Sequence, residues 1–238
     1  ILSVARNINK DSNGLYDVTI GNLIELWDFN KAIIPDSLSI LNASQNSGFD
    51  KLTLTKSHIT RPVGLNINLG SISKGFIIDK TMEYLMKQNI EEAYINAGGD
   101  IRVYSKNNKP IRIGIQHPRV ANDIIATLEI TNMAVVTSGD YERFFEKDGI
   151  RYHHIIDPTT GYPAKNTISV TVISQNATLA DGLSTALFVM NPMEGIEMLK
   201  KYPGTEAIIY YQSEDGIVSL KSEGMKKYLV SEKSLDKK

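Results

Sequence analysis

Between Tyr152 and Ala186 the chain gathers residue types able to move a proton and to hold a hard cation. His153 and His154 come first, the run Asp157-Pro158-Thr159-Thr160-Gly161-Tyr162-Pro163 follows, and Ala180-Asp181-Gly182-Leu183-Ser184-Thr185-Ala186 closes the stretch. A histidine with an ordinary pKa can serve as a general base toward a hydroxyl. In a strand two adjacent histidines point to opposite faces, so only one of them can line a given site. Asp181 and Thr185 stand four residues apart, which on a helix places both on one face. Their oxygens suit Mg²⁺ or Ca²⁺ rather than a soft metal. Such a set could hold a divalent cation beside a phosphate ester. Plainer readings fit each motif alone: Thr178-Leu179-Ala180-Asp181 matches a helix cap, a strand histidine can be structural, and the Pro/Gly run can be a tight loop.

Further loops carry the same ambiguity. Asn68-Leu69-Gly70-Ser71-Ile72-Ser73-Lys74-Gly75 joins a predicted strand to a predicted helix. A helix start of this kind offers free N–H groups to a phosphate, although the spacing matches neither of the well-known glycine-rich nucleotide loops. Asn96-Ala97-Gly98-Gly99-Asp100 and Thr137-Ser138-Gly139-Asp140-Tyr141 read as hairpin turns or as ligand loops.

Those candidates need a scaffold, and the periodicity supplies one. Residues 1–30 read as helical pieces broken at Asn13-Gly14, and a short helix is expected near Pro35-Asp36. Strands are expected within Leu52–Leu69, at Ala93–Ala97, Ile101–Tyr104, Ile111–Gln116, Ile124–Ile130, Ala134–Thr137, Arg151–Ile156 and Thr167–Ser174. An amphipathic helix over Gly75–Gln88 uses Ile77, Ile78, Met82, Leu85 and Met86. Helices over Ala177–Met190 and Met193–Tyr202 precede a closing hairpin at Ala207–Gln212 and Ile217–Leu220. The fold class is α+β, with mixed sheets covered by helices in one globular unit over residues 1–230. Residues 231–238 read as a flexible Lys/Ser/Glu-rich tail.

Composition narrows the function. The 238 residues carry a formal net charge of -1, which argues against a nucleic-acid partner. No apolar run approaches the roughly 20 residues that span a bilayer. Without cysteine there is no thiolate nucleophile and no Cys-ligated metal. The opening Ile1-Leu2-Ser3-Val4-Ala5-Arg6 has no signal-peptide pattern, so the expectation is a mature or trimmed fragment.

Taken in order, these segments resemble the ApbE family of flavin transferases. The resemblance rests on Asn68 to Gly75, Ile95 to Asp100, Ile113 to Pro118, Thr137 to Tyr141, His154 to Pro163 and Ala180 to Ala186, together with Gly14-Leu15-Tyr16-Asp17, Gly21, Leu23 and Leu26-Trp27. It runs from residue 1 to about 212, and six ordered motifs are far more specific than any one. Asn68, Ser71 and Ser73 stand where the family has Asp, Gly and Ala.

The resemblance implies a T-fold-related α+β unit that moves the FMN part of FAD to a threonine of an acceptor protein, releasing AMP. FAD pyrophosphate hydrolysis and flavin binding without turnover are the alternatives. Mg²⁺ is the implied cofactor and FAD the substrate. The acceptor threonine is expected in a Ser/Asp-Gly-x-Thr motif. The implied base is His154, and the implied cation ligands are Asp181, Thr185, Ser184 and the Ser73 carbonyl. Implied flavin-nucleotide contacts are Leu15, Tyr16, Asp17, Asn68, Gly70, Ser71, Lys74 and Phe76 near the N-terminal half. Gly98, Gly99, Asp100, Thr137, Ser138, Gly139, Ile155, Thr160 and Gly161 complete them. The family also implies an extracytoplasmic setting, in the periplasm or on the outer face of the membrane. There a lipid or signal anchor, in an N-terminal segment expected to be missing from this sequence, would tether the full-length form.

Overall fold

The architecture comes from a computed structural model that describes residues 1–214 and 216–233. Its centre is an antiparallel six-stranded sheet in the order β12-β11-β10-β7-β4-β3. These strands are β3 (Glu92–Ala97), β4 (Asp100–Ser105), β7 (Ala134–Gly139), β10 (Thr167–Ser174), β11 (Glu206–Ser213) and β12 (Gly216–Lys221). Every residue of β10 is buried, as befits a strand covered on both faces. Its alternation splits the core in two. Val170 and Val172, with Ala207 and Ile209 of β11, face a helical layer. Ile173, with Ile208 and Tyr210, faces a second sheet.

The helical layer holds α1 (Leu2–Asp11), α4 (Ser73–Lys87), α5 (Ala177–Val189) and α6 (Pro192–Leu199). The second sheet is β13-β6-β5, from β5 (Ile111–Gln116), β6 (Ile124–Ile130) and β13 (Leu229–Glu232). A smaller cluster sits apart. It joins α2 (Gly21–Leu26), α3 (Ser37–Gln45) and the hairpin of β8 (Phe144–Lys147) and β9 (Ile150–His153) around Trp27. No helix among the described residues is long and apolar enough to cross a membrane.

Several expectations need correction. Leu52–Leu69 holds only the two-residue strands β1 (Thr53–Leu54) and β2 (Ile59–Thr60). Ile77 and Met86 of the amphipathic helix are exposed, while Ile78, Asp79 and Met82 are buried. The hairpin of β11 and β12 does not close the fold. Ser231 and Glu232, read as tail, pair with Thr127 and Ala126 in β13, and residues 234–238 of that tail lie outside the described residues. Asp36 caps α3 as the Pro35-Asp36 signal implies, accepting the Ser39 amide at 2.9 Å.

Candidate functional site

A cavity of about 380 Å³ opens between the helical layer and the aromatic cluster. One wall is the contact between α4 and α5. There Gly75 lets the helices approach so closely that a Cβ on it would lie 2.2 Å from the Ala177 carbonyl oxygen. The closeness has a use. The Gly75 N–H donates to Asp181 Oδ2 at 2.9 Å across 106 residues of sequence. Asp181 is therefore not the cap of its helix. Asn176 caps α5, accepting the Leu179 amide at 2.8 Å. Asp79 of α4 adds to that cap, accepting the Ala177 and Thr178 amides at 2.8 Å each while paired with Arg102.

Asp181 and Thr185 both border the cavity, one helical turn apart. Burial pushes the Asp181 carboxyl up to about 7, helped by the nearby Asp100 charge and opposed by the Gly75 amide and Lys74. A buried carboxylate held so high is one that a cation would stabilise. The oxygens of Asp181 and Thr185 are hard donors, so the residues present fit Mg²⁺ better than a thiophilic metal. Ser184 does not join them. It is fully buried, and its hydroxyl is committed to Ser138 Oγ at 2.8 Å and to the Asp181 carbonyl at 2.9 Å. Thr185 and Ser184 both flank Asp181 on one face of α5, and the Thr185 hydroxyl also lies 3.5 Å from Ser138 Oγ, but only Thr185 borders the cavity. Ser73, the first residue of α4, does not border the cavity.

His154 faces the cavity from the residue after β9. Burial holds its pKa below the ordinary histidine value, opposed by the nearby Arg143 backbone and helped by the Arg143 and Lys74 charges. The imidazole is thus neutral near pH 7. Among the described residues nothing hydrogen-bonds its buried Nδ1. Its neighbour has the opposite fate, as strand alternation requires. His153 is buried, with Nε2 on the Ala164 carbonyl at 2.9 Å and Nδ1 accepting the Ile155 amide at 3.3 Å. That pair of bonds fixes the neutral Nε2–H tautomer.

The segment after α1 supplies the floor. Leu15, Tyr16 and Asp17 border the cavity, and Asp17 Oδ1 accepts both the amide and the hydroxyl of Thr19 at 2.7 Å. Burial raises the Asp17 carboxyl, against those bonds. Tyr16 OH accepts from Ser71 at 3.1 Å. Asn68, Gly70, Ser71 and Lys74 line the same space. Asn68 Oδ1 accepts the Gly70 amide at 2.8 Å, an Asx turn that needs no negative charge. The start of α4 is less open to a phosphate than its sequence implies. The amide of Gly75 is held by Asp181, and those of Ser73 and Phe76 go to the carbonyls of Leu69 and Ile72. Lys74 Nζ meets Asp100 Oδ2 at 2.8 Å. That partner outweighs the downward pull of burial and raises the lysine pKa.

Gly98, Thr137, Ser138, Gly139 and Ile155 also line the cavity. Gly99, Asp100, Phe76, Thr160 and Gly161 do not. Asp100 lies buried beneath Lys74. Phe76 sits under the Lys80 ammonium, 5.7 Å from its ring centroid. The exposed Thr160 uses its hydroxyl for the Tyr162 amide at 3.2 Å, and the Gly161 carbonyl accepts the Trp27 indole N–H at 3.0 Å. The Asp157–Pro163 loop is a self-satisfied turn whose amides at Thr159, Gly161 and Tyr162 have partners inside it.

Sequence reading missed most of the apolar end of the cavity. Ile20, Ile24, Trp27 and Phe29 line it from one side, with Ile156, Pro158 and Val189 nearby. Glu142 and Arg143 border it as well, and the Arg143 guanidinium lies 5.2 Å from the Phe29 ring centroid. The single tryptophan of the chain was the available signal. Nothing local marks Arg143.

Comparison with known proteins agrees with the order of the motifs. The profile of the ApbE family matches residues 1–209. The FAD:protein FMN transferase of Vibrio cholerae is 34% identical over 238 residues, spanning 96% of this chain and 71% of its own. That of Haemophilus influenzae is 34% identical over 243 residues, spanning 95% and 69%. The crystal structure of the ApbE protein of Thermotoga maritima superposes with a TM-score of 0.85 at 34% identity, over 95% of this chain and 76% of that one. The flavin transferase ApbE of V. cholerae gives 0.84 at 31%, over 96% and 75%. On profile, identity and backbone alike, this chain belongs to the ApbE family.

Proposed function

We propose that the chain transfers the FMN moiety of FAD to a threonine hydroxyl of an acceptor protein and releases AMP, with Mg²⁺ as cofactor. The observation that carries this reading is the convergence of Asp181, Thr185 and His154 on one cavity. Threonine oxygen forms a bond to the FMN phosphorus as the bond to the bridging oxygen breaks, and AMP departs with that oxygen. His154 takes the proton the threonine loses. Asp181 and Thr185 would hold the cation, which when bound offsets charge on the phosphoryl oxygens and on the leaving group. Gly75 fixes the Asp181 carboxylate through its amide, and Lys74 brings positive charge to the same wall. The apolar end around Trp27 and Phe29 offers flat rings to an aromatic ligand and excludes water.

Incubation of the protein with FAD, Mg²⁺ and a peptide carrying a Ser/Asp-Gly-x-Thr sequence tests the proposal. Covalent gain of FMN mass on the peptide, with matching AMP, is the expected result. AMP without that gain identifies an FAD hydrolase, and neither product identifies a flavin binder.

A further inference from the structure

The six-stranded sheet ends at β3, and among the described residues no strand pairs with its outer side. The β3–β4 hairpin turns through Gly98 and Gly99, both at positive φ, and its ladder runs without a shift from Ala97↔Asp100 to Glu92↔Ser105. A two-residue turn makes its flanking residues a hydrogen-bonded pair, and the pairs then alternate. Ala97, Ile95 and Ala93 therefore spend their backbone groups on β4. Lys106, whose amide reaches the Glu91 carbonyl at 2.8 Å, continues that parity. Glu92, Tyr94 and Asn96 accordingly turn their N–H and C=O groups outward.

Soluble proteins usually blunt such an edge with proline, a bulge or lysine. Glu92–Ala97 has none of these, and its one charge, on Glu92 at the end away from the cavity, is paired with Lys109 at 3.7 Å. Its Tyr94 side chain is 51% exposed. At its far end the strand runs directly into Gly98, which borders the cavity. The opposite edge, β12, sends no residue to that cavity.

We infer that β3 is the docking edge for the acceptor: an extended, threonine-bearing segment adds to the sheet beside Glu92, Tyr94 and Asn96, and the ladder delivers its threonine past Gly98 to His154. The inference deepens the transferase reading and rests on it. A strand advances about 3.3 Å per residue, so a segment paired beside Tyr94 and Asn96 reaches the cavity mouth within a few residues. Main-chain hydrogen bonds would supply affinity largely independent of side chains, and only the residue entering the cavity would need a fixed identity.

Tyr94→Pro tests this, because it removes an outward N–H and leaves the β3–β4 ladder whole. Tyr94→Ala separates loss of the ring from loss of the N–H. The expected result is a drop of about tenfold or more in kcat/KM for the acceptor peptide in Tyr94→Pro, a smaller one in Tyr94→Ala, and unchanged FAD affinity in both. Peptides N-methylated at alternate residues, given to the unaltered enzyme, provide a reading that does not depend on the variant folding. Methylation of one parity should abolish transfer and the other should spare it. Equal transfer to all methylated peptides, or wild-type kinetics in Tyr94→Pro, overturns the inference. So does a β3–β3 dimer seen by sedimentation that Tyr94→Pro dissociates without changing transfer. If the unaltered enzyme transfers no FMN to any peptide, the transferase reading falls and this inference falls with it.

Discussion

One wall of the cavity hangs on the contact of α4 with α5, where Gly75, Asp79 and Asp181 tie two helices through carboxylate-to-amide bonds. The other hangs on the aromatic cluster of Trp27, Phe29, Phe145, Tyr152 and Tyr162, whose neighbouring ring centroids lie 5.2–6.1 Å apart. The first wall concentrates its chemistry in a few groups with unique partners, each reached across a hundred residues or so of chain. The second spreads its cohesion over many interchangeable contacts. Changes to the first should therefore break the reaction, and changes to the second should only weaken it.

Asp181→Ala is the severest test of that contrast. It should lower Mg²⁺-dependent turnover by about 10⁴-fold, the order expected when a metal site that offsets phosphoryl charge is lost. Folding should barely change. The carboxyl is already held at about 7 by burial, so its removal relieves an unfavourable desolvation while leaving the Gly75 amide without its acceptor. Turnover against Mg²⁺ concentration, beside a urea melt, separates the two effects. Full activity of this variant in the presence of EDTA would remove the metal role. His154→Ala comes next, with transfer slowed by about 10³-fold and FAD affinity retained. An unchanged rate would take His154 out of the chemistry.

Gly75→Ala attacks the same wall through packing. Its methyl would meet the Ala177 carbonyl oxygen at 2.2 Å and Asp181 Cβ at 2.8 Å, so the helices must separate. A loss of roughly 3 kcal/mol in urea unfolding is expected, at the upper end of overpacking costs. His153 gives a stability effect of similar size through pH. Burial lowers its pKa from 6.5 to about 4. The unfolded chain thus binds more protons between those values, and stability present above pH 6.5 is lost as pH falls toward 4. The full difference is about 3 kcal/mol. Urea midpoints measured across that window should fall more steeply for the wild type than for His153→Phe, and parallel slopes would count against the assignment.

How far this contrast could be read in advance follows from range. The boundaries of β5, β6 and β10 match their sequence patterns because alternation and flanking turns are local signals, with Asn108, Asn122 and Asn132 at positive φ marking the breaks. Asp181 looked like a cap because a cap is also local. Its actual partner, Gly75, lies 106 residues away, and no spacing rule reaches that far. The same reason hides Asp79, whose work is to cap a helix other than its own. β13 was hidden by its place at the head of a Lys/Ser/Glu-rich terminus, yet its Leu229, Ser231 and Glu232 pair with β6. Thr185 was legible from its spacing to Asp181 and Ser184 only through the resemblance; both flank Asp181, and the commitment of the Ser184 hydroxyl to Ser138 and to the Asp181 carbonyl separates the one at the cavity from the one in the interior.

Trp27→Phe should have the smallest effect, and it sharpens the contrast from the side of the aromatic wall. The indole contributes one hydrogen bond, to the Gly161 carbonyl at 3.0 Å, and ring contacts with Phe29, Tyr152 and Tyr162. Phenylalanine keeps most of the contacts and loses the bond, which leaves a buried carbonyl oxygen without its donor. A loss of about 1 kcal/mol in stability follows. The cavity's apolar end would loosen while Asp181, Thr185 and His154 stay in place, so KM for FAD should rise a few-fold with kcat nearly unchanged. A collapse of kcat to the level of Asp181→Ala would show that the aromatic wall positions the reacting groups after all, and the division of labour between the two walls would have to be abandoned.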